Sequence, residues 1–344
     1  MMKMKKKLLA LLMACALVLA LAACGGGNDA PDANTPAAAD PSGSTAQPAG
    51  DGKKYKVGIS QYVTHPALDA ATEGFIAAMN DKLGEDGWEY DFQNAAEDIP
   101  TCATIATSFV SQGVDLIMAN ATPALQAAAA ATGDIPILGT SVTEYGVAFG
   151  IKDFSGTVGG NVSGTSDLAP LDQQAEMIKA WYPDAKTVGL LYCSKEDNSQ
   201  YQVDTVQSYL EGMGYTCTQY SFSDSNDIAA VCQTAADNSD VLYVPTDNSA
   251  ASNTPVIDNI CRGNIPVFCG EEGICKGCGV ATLSISYYDI GYKTGEMAAQ
   301  VLTGQADIST MPIEYAPEFV QKYNPSMCEA LGLTAPDGYV AIEE

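Results

Sequence analysis

Beyond residue 55 the apolar positions alternate between short β-rich runs and longer stretches with helical spacing. Lys56-Val57-Gly58-Ile59 is the first run, and a polar, partly aromatic stretch, Ser60-Gln61-Tyr62-Val63-Thr64-His65-Pro66, follows it. From Ala67 the spacing changes: Leu68, Ala71, Phe75 and Met79 lie three or four apart, which is one face of a helix. Pro66 falls where a first-turn proline is tolerated. The same reading predicts strands near 56–59, 89–93, 116–119 and 135–139, with helices near 68–83, 99–112 and 123–131. Strands alternating with helices imply a parallel sheet. Ligands of such sheets bind at the carboxyl ends of the strands, so the loop from Gln61 to Pro66 is the first candidate for ligand contact.

The pattern then repeats. Lys186-Thr187-Val188-Gly189-Leu190-Leu191-Tyr192 resembles Tyr55-Lys56-Val57-Gly58-Ile59-Ser60-Gln61, and it too leads into a polar loop, Cys193 to Ser199, and a helical stretch. Gly113-Val114-Asp115-Leu116-Ile117-Met118-Ala119 is echoed by Asn238-Ser239-Asp240-Val241-Leu242-Tyr243-Val244. Gly133-Asp134-Ile135-Pro136-Ile137-Leu138 is echoed by Gly263-Asn264-Ile265-Pro266-Val267-Phe268. The offsets are 131, 125 and 130 positions. Three echoes in one order at a nearly constant offset predict two copies of one α/β lobe. One further strand, near 279–285, and a helix at 288–302 stopped by Gly304 close the pattern.

The first residues have a different character. Lys3, Lys5, Lys6 and Lys7 form a positive head, and 8–20 is an apolar core too short for a comfortable membrane span. This is a secretory signal over 1–23. Leu21-Ala22-Ala23-Cys24 resembles a bacterial lipobox, which makes Cys24 the expected lipidation site and the first mature residue. Residues 24–53 are rich in Ala, Pro, Asp, Ser and Gly without apolar period. Such a stretch cannot bury enough surface to order itself and reads as a flexible tether. Lipid, tether and folded part together predict a protein anchored to the outer face of the cell membrane.

Charge narrows the partners. Without the four lysines of the head, 12 basic residues face 42 acidic ones, a net charge near −30. Nucleic acid is a poor partner for such a surface. Chemistry is narrowed as well: there is no G-x-S-x-G, no P-loop and no metal-spaced histidine pair, so neither an enzyme, a cofactor nor a metal is expected. Cys275 and Cys278 have C-x-x-C spacing without a second such pair, a poor basis for a zinc site. With Cys15 lost and Cys24 lipidated, nine of the 11 cysteines remain. No disulfide framework follows for a domain of this size.

Several motifs carry a family resemblance: Thr64-His65-Pro66, Ala121-Thr122-Pro123-Ala124, Ser141-Val142-Thr143, Asn161-Val162-Ser163-Gly164-Thr165-Ser166-Asp167, Glu196-Asp197-Asn198-Ser199, Val244-Pro245-Thr246-Asp247-Asn248 and Tyr288-Asp289-Ile290-Gly291. Over 55–317 the chain resembles ABC transporter substrate-binding lipoproteins of the tryptophan/tyrosine-uptake type. The resemblance implies a type I periplasmic-binding-protein fold: two Rossmann-like α/β lobes with parallel sheets and a three-stranded hinge, the solute held between them. It implies delivery to an ABC permease and its ATPase, and the chain is expected to act as a monomer. The lobes are expected at 54–162 plus 284–309 and at 163–283 plus 310–344.

The candidate ligand contacts are Gln61, Tyr62, His65, Thr122, Ser141, Thr143, Ser166 and Asp167, then Ser194, Glu196, Asn198, Thr246, Asp247, Asn248 and Glu271. Tyr62 and His65 offer an aromatic wall. Thr122, Ser141 and Thr143 offer hydroxyls to a carboxylate, and Asp247 or Glu196 an acceptor to an ammonium. Each Ser, Thr or Asn serves equally well as a helix cap. Gly270-Glu271-Glu272-Gly273-Ile274-Cys275-Lys276-Gly277-Cys278 is more acidic and richer in cysteine than the family pattern. It leaves open a cationic solute, a nucleoside or a sugar in place of an aromatic amino acid. A sensor that presents its ligand to a receptor is the other functional class.

Overall fold

A computed structural model describes residues 53–343; the expected signal, the lipidation site Cys24 and almost all of the tether lie outside them. The first run of elements is β1 (Tyr55–Gln61), α1 (Pro66–Leu83), β2 (Trp88–Asn94), α2 (Ile99–Gln112), β3 (Leu116–Asn120), α3 (Thr122–Ala131), β4 (Ile137–Val142), α4 (Tyr145–Phe149) and β5 (Val162–Ser166). The second is α5 (Leu171–Trp181), β6 (Thr187–Cys193), α6 (Asp197–Gly212), β7 (Thr216–Phe222), α7 (Ile228–Asp237), β8 (Val241–Val244), α8 (Asn248–Ser252), α9 (Thr254–Cys261), β9 (Val267–Cys269), α10 (Glu272–Cys278) and β10 (Ala281–Ser284). The chain ends in α11 (Tyr287–Leu302), β11 (Glu314–Tyr315), β12 (Val320–Tyr323), α12 (Pro325–Leu331) and β13 (Val340–Ala341).

Two sheets form, in the orders β11-β5-β4-β3-β1-β2 and β13-β12-β10-β9-β8-β6-β7. All pairings are parallel except β10 with β12. The shared core order, β4-β3-β1-β2 against β9-β8-β6-β7, is the sequence duplication made visible: the three echoed segments supply β1 and β6, β3 and β8, β4 and β9. Central strands are buried along their whole length, as in Leu116–Asn120 and Val241–Val244, because helices cover both faces. The edge strands β2 and β7 keep most of their polar residues in water.

The sheets divide the chain a few residues later than the sequence suggested. Residues 162–166 form β5 and 314–315 form β11, both in the first sheet. Their small polar sequences, Val-Ser-Gly-Thr-Ser and Glu-Tyr, carry no apolar alternation to announce a strand. The chain passes between sheets at 167–170, at 285–286 and at 316–319.

Helix α11 returns to the first lobe and lies against α1 at backbone distance. A Cβ on Gly74 would stand 2.0 Å from the Tyr288 carbonyl, and one on Gly291 2.0 Å from that of Ala71. This contact fixes the start of α1, and with it His65, beside the second crossing at 285–286.

Candidate functional site

The carboxyl ends of both sheets face one small enclosed cavity. The first lobe brings His65 and Leu68, and Ser141 and Thr143 from the end of β4. The second brings Asn198, Thr246, Asp247, Asn248, Ala251 and Glu271. Asp167, on the first crossing segment, and Tyr287, the first residue of α11, complete the wall. The free space is about 10 Å³, about enough for one water. On the far side of Glu271 and Tyr287 lies an open groove of about 380 Å³, bordered by Pro66, Ala67, Lys276 and Lys322.

Several polar atoms in this wall lack partners. Among the described buried side chains, Ser141 Oγ, His65 Nδ1, Asp167 Oδ1 and Asn198 Oδ1 have no hydrogen bond. Each unpaired buried group costs about 1–3 kcal/mol. Ser141 is also held at φ +54°, in the left-handed region, which a non-glycine residue occupies at a cost. Its backbone is bent out of the β4 ladder where the register with β5 shifts, between Gly139 and Val142.

The lobes touch across the cavity through His65, whose Nε2 lies 3.2 Å from Asn248 Oδ1. Burial holds this imidazole below its usual pKa despite the Asn248 hydrogen bond. Outside the cavity, Gln126 donates to Asp197 at 3.0 Å and Ser252 to Glu97 at 3.4 Å. No lysine or arginine lines the cavity, yet three carboxylates do. Burial pushes Asp167 up to about 6, against the hydrogen bond from Tyr287. Burial, then the nearby Glu196, pushes Asp247 up to about 8. Burial likewise lifts Glu271 to about 7, against hydrogen bonds from the Gly273 and Ile274 backbone.

The other sequence candidates stand off the cavity. Gln61 is locked inside the first lobe, donating to Val63 O and Asp69 and accepting from Thr72. Tyr62 packs into the first lobe's core and donates to the Glu97 carbonyl at 3.2 Å; it does not form the expected wall with His65. Thr122 is buried at the first turn of α3. Ser166 donates to Thr143 O, and Ser194, exposed, donates to Phe222 O. Glu196, expected to take an ammonium, is saturated by Asn248 N and Nδ2 at 3.1 and 2.7 Å and by Ser249 N and Oγ at 2.9 and 2.8 Å. Asp247 does line the cavity, but its two oxygens accept from Cys193 N and Ala250 N, both at 2.7 Å.

Tyr287, Leu68 and Ala251 are additions. Tyr287 donates to Asp167 Oδ2 at 3.0 Å. Its neighbours gave a signal, since Ser286 caps α11 by accepting from Asp289 N, but a capping motif does not say which way the first-turn side chain points. All nine described cysteines are free thiols, Cys275 and Cys278 included. No group of described residues is arranged to hold a metal ion.

The sequence model of ABC transporter substrate-binding proteins matches residues 56–342, which takes in both sheets and every residue of the cavity. The chain belongs to this family. It is 42% identical over 267 residues to a tyrosine-binding protein of Clostridioides difficile, covering 76% of this chain and 77% of that one. Among solved structures, an ABC domain in complex with L-Trp from Streptococcus pneumoniae overlays with TM-score 0.80 at 32% identity, over 84% of this chain and all of the other. A ligand-free, open substrate-binding protein with adhesive properties from Clostridium difficile gives 0.64 at 40% identity, with the same coverage. The substrate-binding protein described here is thus the solute-capturing component of an ABC system, and such components work outside the cytoplasm. No helix of the described residues is long and apolar enough to cross a membrane.

Proposed function

We propose that this substrate-binding protein captures an aromatic amino acid, of the tyrosine or tryptophan class, at the cavity between its lobes and hands it to an ABC permease driven by its ATPase. The observation that carries the reading is the set of four unpaired buried polar atoms, on both lobes and a crossing segment, around one cavity. A zwitterion answers them: an ammonium for the acceptors Asp167 Oδ1, Asn198 Oδ1 and His65 Nδ1, a carboxylate for the Ser141 hydroxyl. The ligands of the relatives supply the aromatic side chain.

A cavity of about 10 Å³ holds no amino acid, so access requires the lobes to part at the three crossings, a hinge motion. The fit is better to the L-Trp complex than to the open, ligand-free structure, although the latter is closer in sequence. That supports a reading in which the lobes here are drawn together. The protein acts by binding, without turnover, as a lipid-anchored monomer held through Cys24 and its tether.

The acidic wall favours one alternative, a cationic solute. Titration calorimetry and thermal-shift screening of the twenty amino acids, nucleosides, sugars and small diamines separate the two. Micromolar or tighter binding of L-tyrosine or L-tryptophan is the expected result. Binding confined to a diamine, a basic amino acid or a sugar rejects the aromatic assignment.

A further inference from the structure

His65 is the chain's only histidine, and its ring is buried where the two lobes meet. Its two nitrogens have different surroundings. Nε2 lies 3.2 Å from Asn248 Oδ1 on the opposite lobe, while Nδ1 has no partner. In a neutral imidazole one nitrogen carries the hydrogen and the other a lone pair. What Asn248 presents to Nε2 therefore decides what Nδ1 presents to the cavity.

Glu196 fixes the Asn248 amide. Its Oε2 accepts from Asn248 Nδ2 at 2.7 Å and from Asn248 N at 3.1 Å. The opposite amide orientation would set a carbonyl oxygen 2.7 Å from a carboxylate oxygen, acceptor against acceptor. The carboxylate cannot swing away, because Oε1 accepts from Ser249 N and Oγ at 2.9 and 2.8 Å. Asn248 thus turns Oδ1 to the imidazole. That oxygen can only accept, so Nε2 carries the hydrogen and Nδ1 the lone pair. Burial keeps the ring neutral by holding its pKa below the usual value.

Two more bare acceptors belong to the same cavity wall. Asn198 donates through Nδ2 to Thr246 O at 3.1 Å, which leaves its Oδ1 unpaired. Tyr287 donates to Asp167 Oδ2 at 3.0 Å, which leaves Oδ1 of that carboxylate unpaired. With His65 Nδ1 the acceptors number three, and an ammonium has three hydrogens and no lone pair.

We infer that Asn248, its amide turned by Glu196, holds His65 as the Nε2–H tautomer when the lobes are together, and that Nδ1 then accepts one hydrogen of the ligand's ammonium. His65 is the residue that touches the ligand; Asn248 is a positioning residue that acts through it. Because the His65–Asn248 contact spans the lobes, closure itself imposes the tautomer, at the step that traps the ligand. The inference rests on the amino-acid reading and adds a selection to it. A bare Nδ1 demands a hydrogen-bond donor, whereas the other tautomer would point an N–H at the ammonium.

The test is nitrogen NMR of the mature chain, labelled with nitrogen-15 at histidine and carrying no histidine tag. It is recorded at pH 8 under saturation with L-tyrosine or L-tryptophan, whichever binds. A single histidine gives a single pair of ring-nitrogen signals. The expected spectrum has a protonated Nε2, an unprotonated Nδ1 and an Nε2–H proton slow to exchange with water. Asn248→Leu should lose that protected proton, which a loosening elsewhere in the lobe would not remove. His65→Gln can still donate to Asn248 but has no acceptor at the Nδ1 position. It should bind the amino acid roughly ten- to a hundredfold more weakly, with melting temperatures checking that both variants fold. A protonated Nδ1 in the bound protein, an Nε2–H signal unchanged in Asn248→Leu, or full affinity in His65→Gln overturns the inference and leaves the amino-acid reading standing. If no amino acid binds but a diamine does, that reading fails, and the same spectra with the diamine still test the tautomer: a protonated Nδ1 would overturn it.

Discussion

Glu196 separates a ligand-contacting carboxylate from one that builds the site. Its two oxygens accept five hydrogen bonds: two from the backbone N–H groups that open α8 and two from the side chains of Asn248 and Ser249, at 2.7–3.1 Å, and a longer one from Asn198 Nδ2 at 3.4 Å. Glu196→Ala strips all five. The side chains of Asn248 and Ser249 can rotate to other partners, but the two backbone donors are fixed in the first turn of the helix. At about 1–3 kcal/mol for each stranded donor, the loss is roughly 2–6 kcal/mol. For a chain of this size that lowers the melting temperature by on the order of 5–15 °C. Asn248 also meets His65 across the cavity at 3.2 Å, so affinity should fall as a consequence of the loosened loop. Thermal unfolding with and without ligand, alongside titration calorimetry, reads both effects. An unchanged melting temperature with a ten- to hundredfold loss of affinity would refute this reasoning and return Glu196 to the role of ammonium acceptor that its sequence position suggested.

Other perturbations report on other parts of the protein. Gly291→Ala places a methyl 2.0 Å from the Ala71 carbonyl, a clash with backbone that no rotamer relieves. The expected cost is about 1–3 kcal/mol in urea unfolding, exceeding the helix-propensity gain of about 1 kcal/mol, and a more stable variant would show that α1 and α11 are not in contact at this depth. Asp167, Glu271 and Asp247 have raised pKa values in the fold, about 6, 7 and 8, so the native state holds more protons than the unfolded chain above pH 4. Stability of the ligand-free protein should therefore fall as pH rises from 5 to 8; a melting temperature that climbs across this range contradicts the assignment. Small-angle scattering should show compaction on ligand addition, and an unchanged radius at saturation would count against a hinge. Cys24→Ser should release the protein from membranes, whereas retention in the membrane fraction, with no lipid on the wild-type Cys24, would exclude the anchor.

The sequence determined the fold to a fine level. Strand and helix periods, and three echoes at near-constant spacing, announced two α/β lobes, because a parallel sheet covered on both faces forces long apolar runs that a sequence cannot hide. It also pointed to the polar loops that meet at the cavity: His65, Ser141, Thr143, Asp167, Asn198, Thr246, Asp247, Asn248 and Glu271 were all legible as polar residues after strands. What it left undecided was where each side chain spends its hydrogen bonds. Glu196 and Asp167 look alike in sequence, each an acid in a loop near a helix start. Only the tertiary structure surrounds Glu196 with four donors from α8 and leaves one oxygen of Asp167 bare. Tyr62 and Tyr287 differ in the same way: both are tyrosines beside a helix start, but the packing of α1 on α11 turns Tyr287 toward the cavity while Tyr62 is taken into the first lobe's core. These outcomes depend on contacts between residues about 50 to more than 200 positions apart, and no local pattern encodes them.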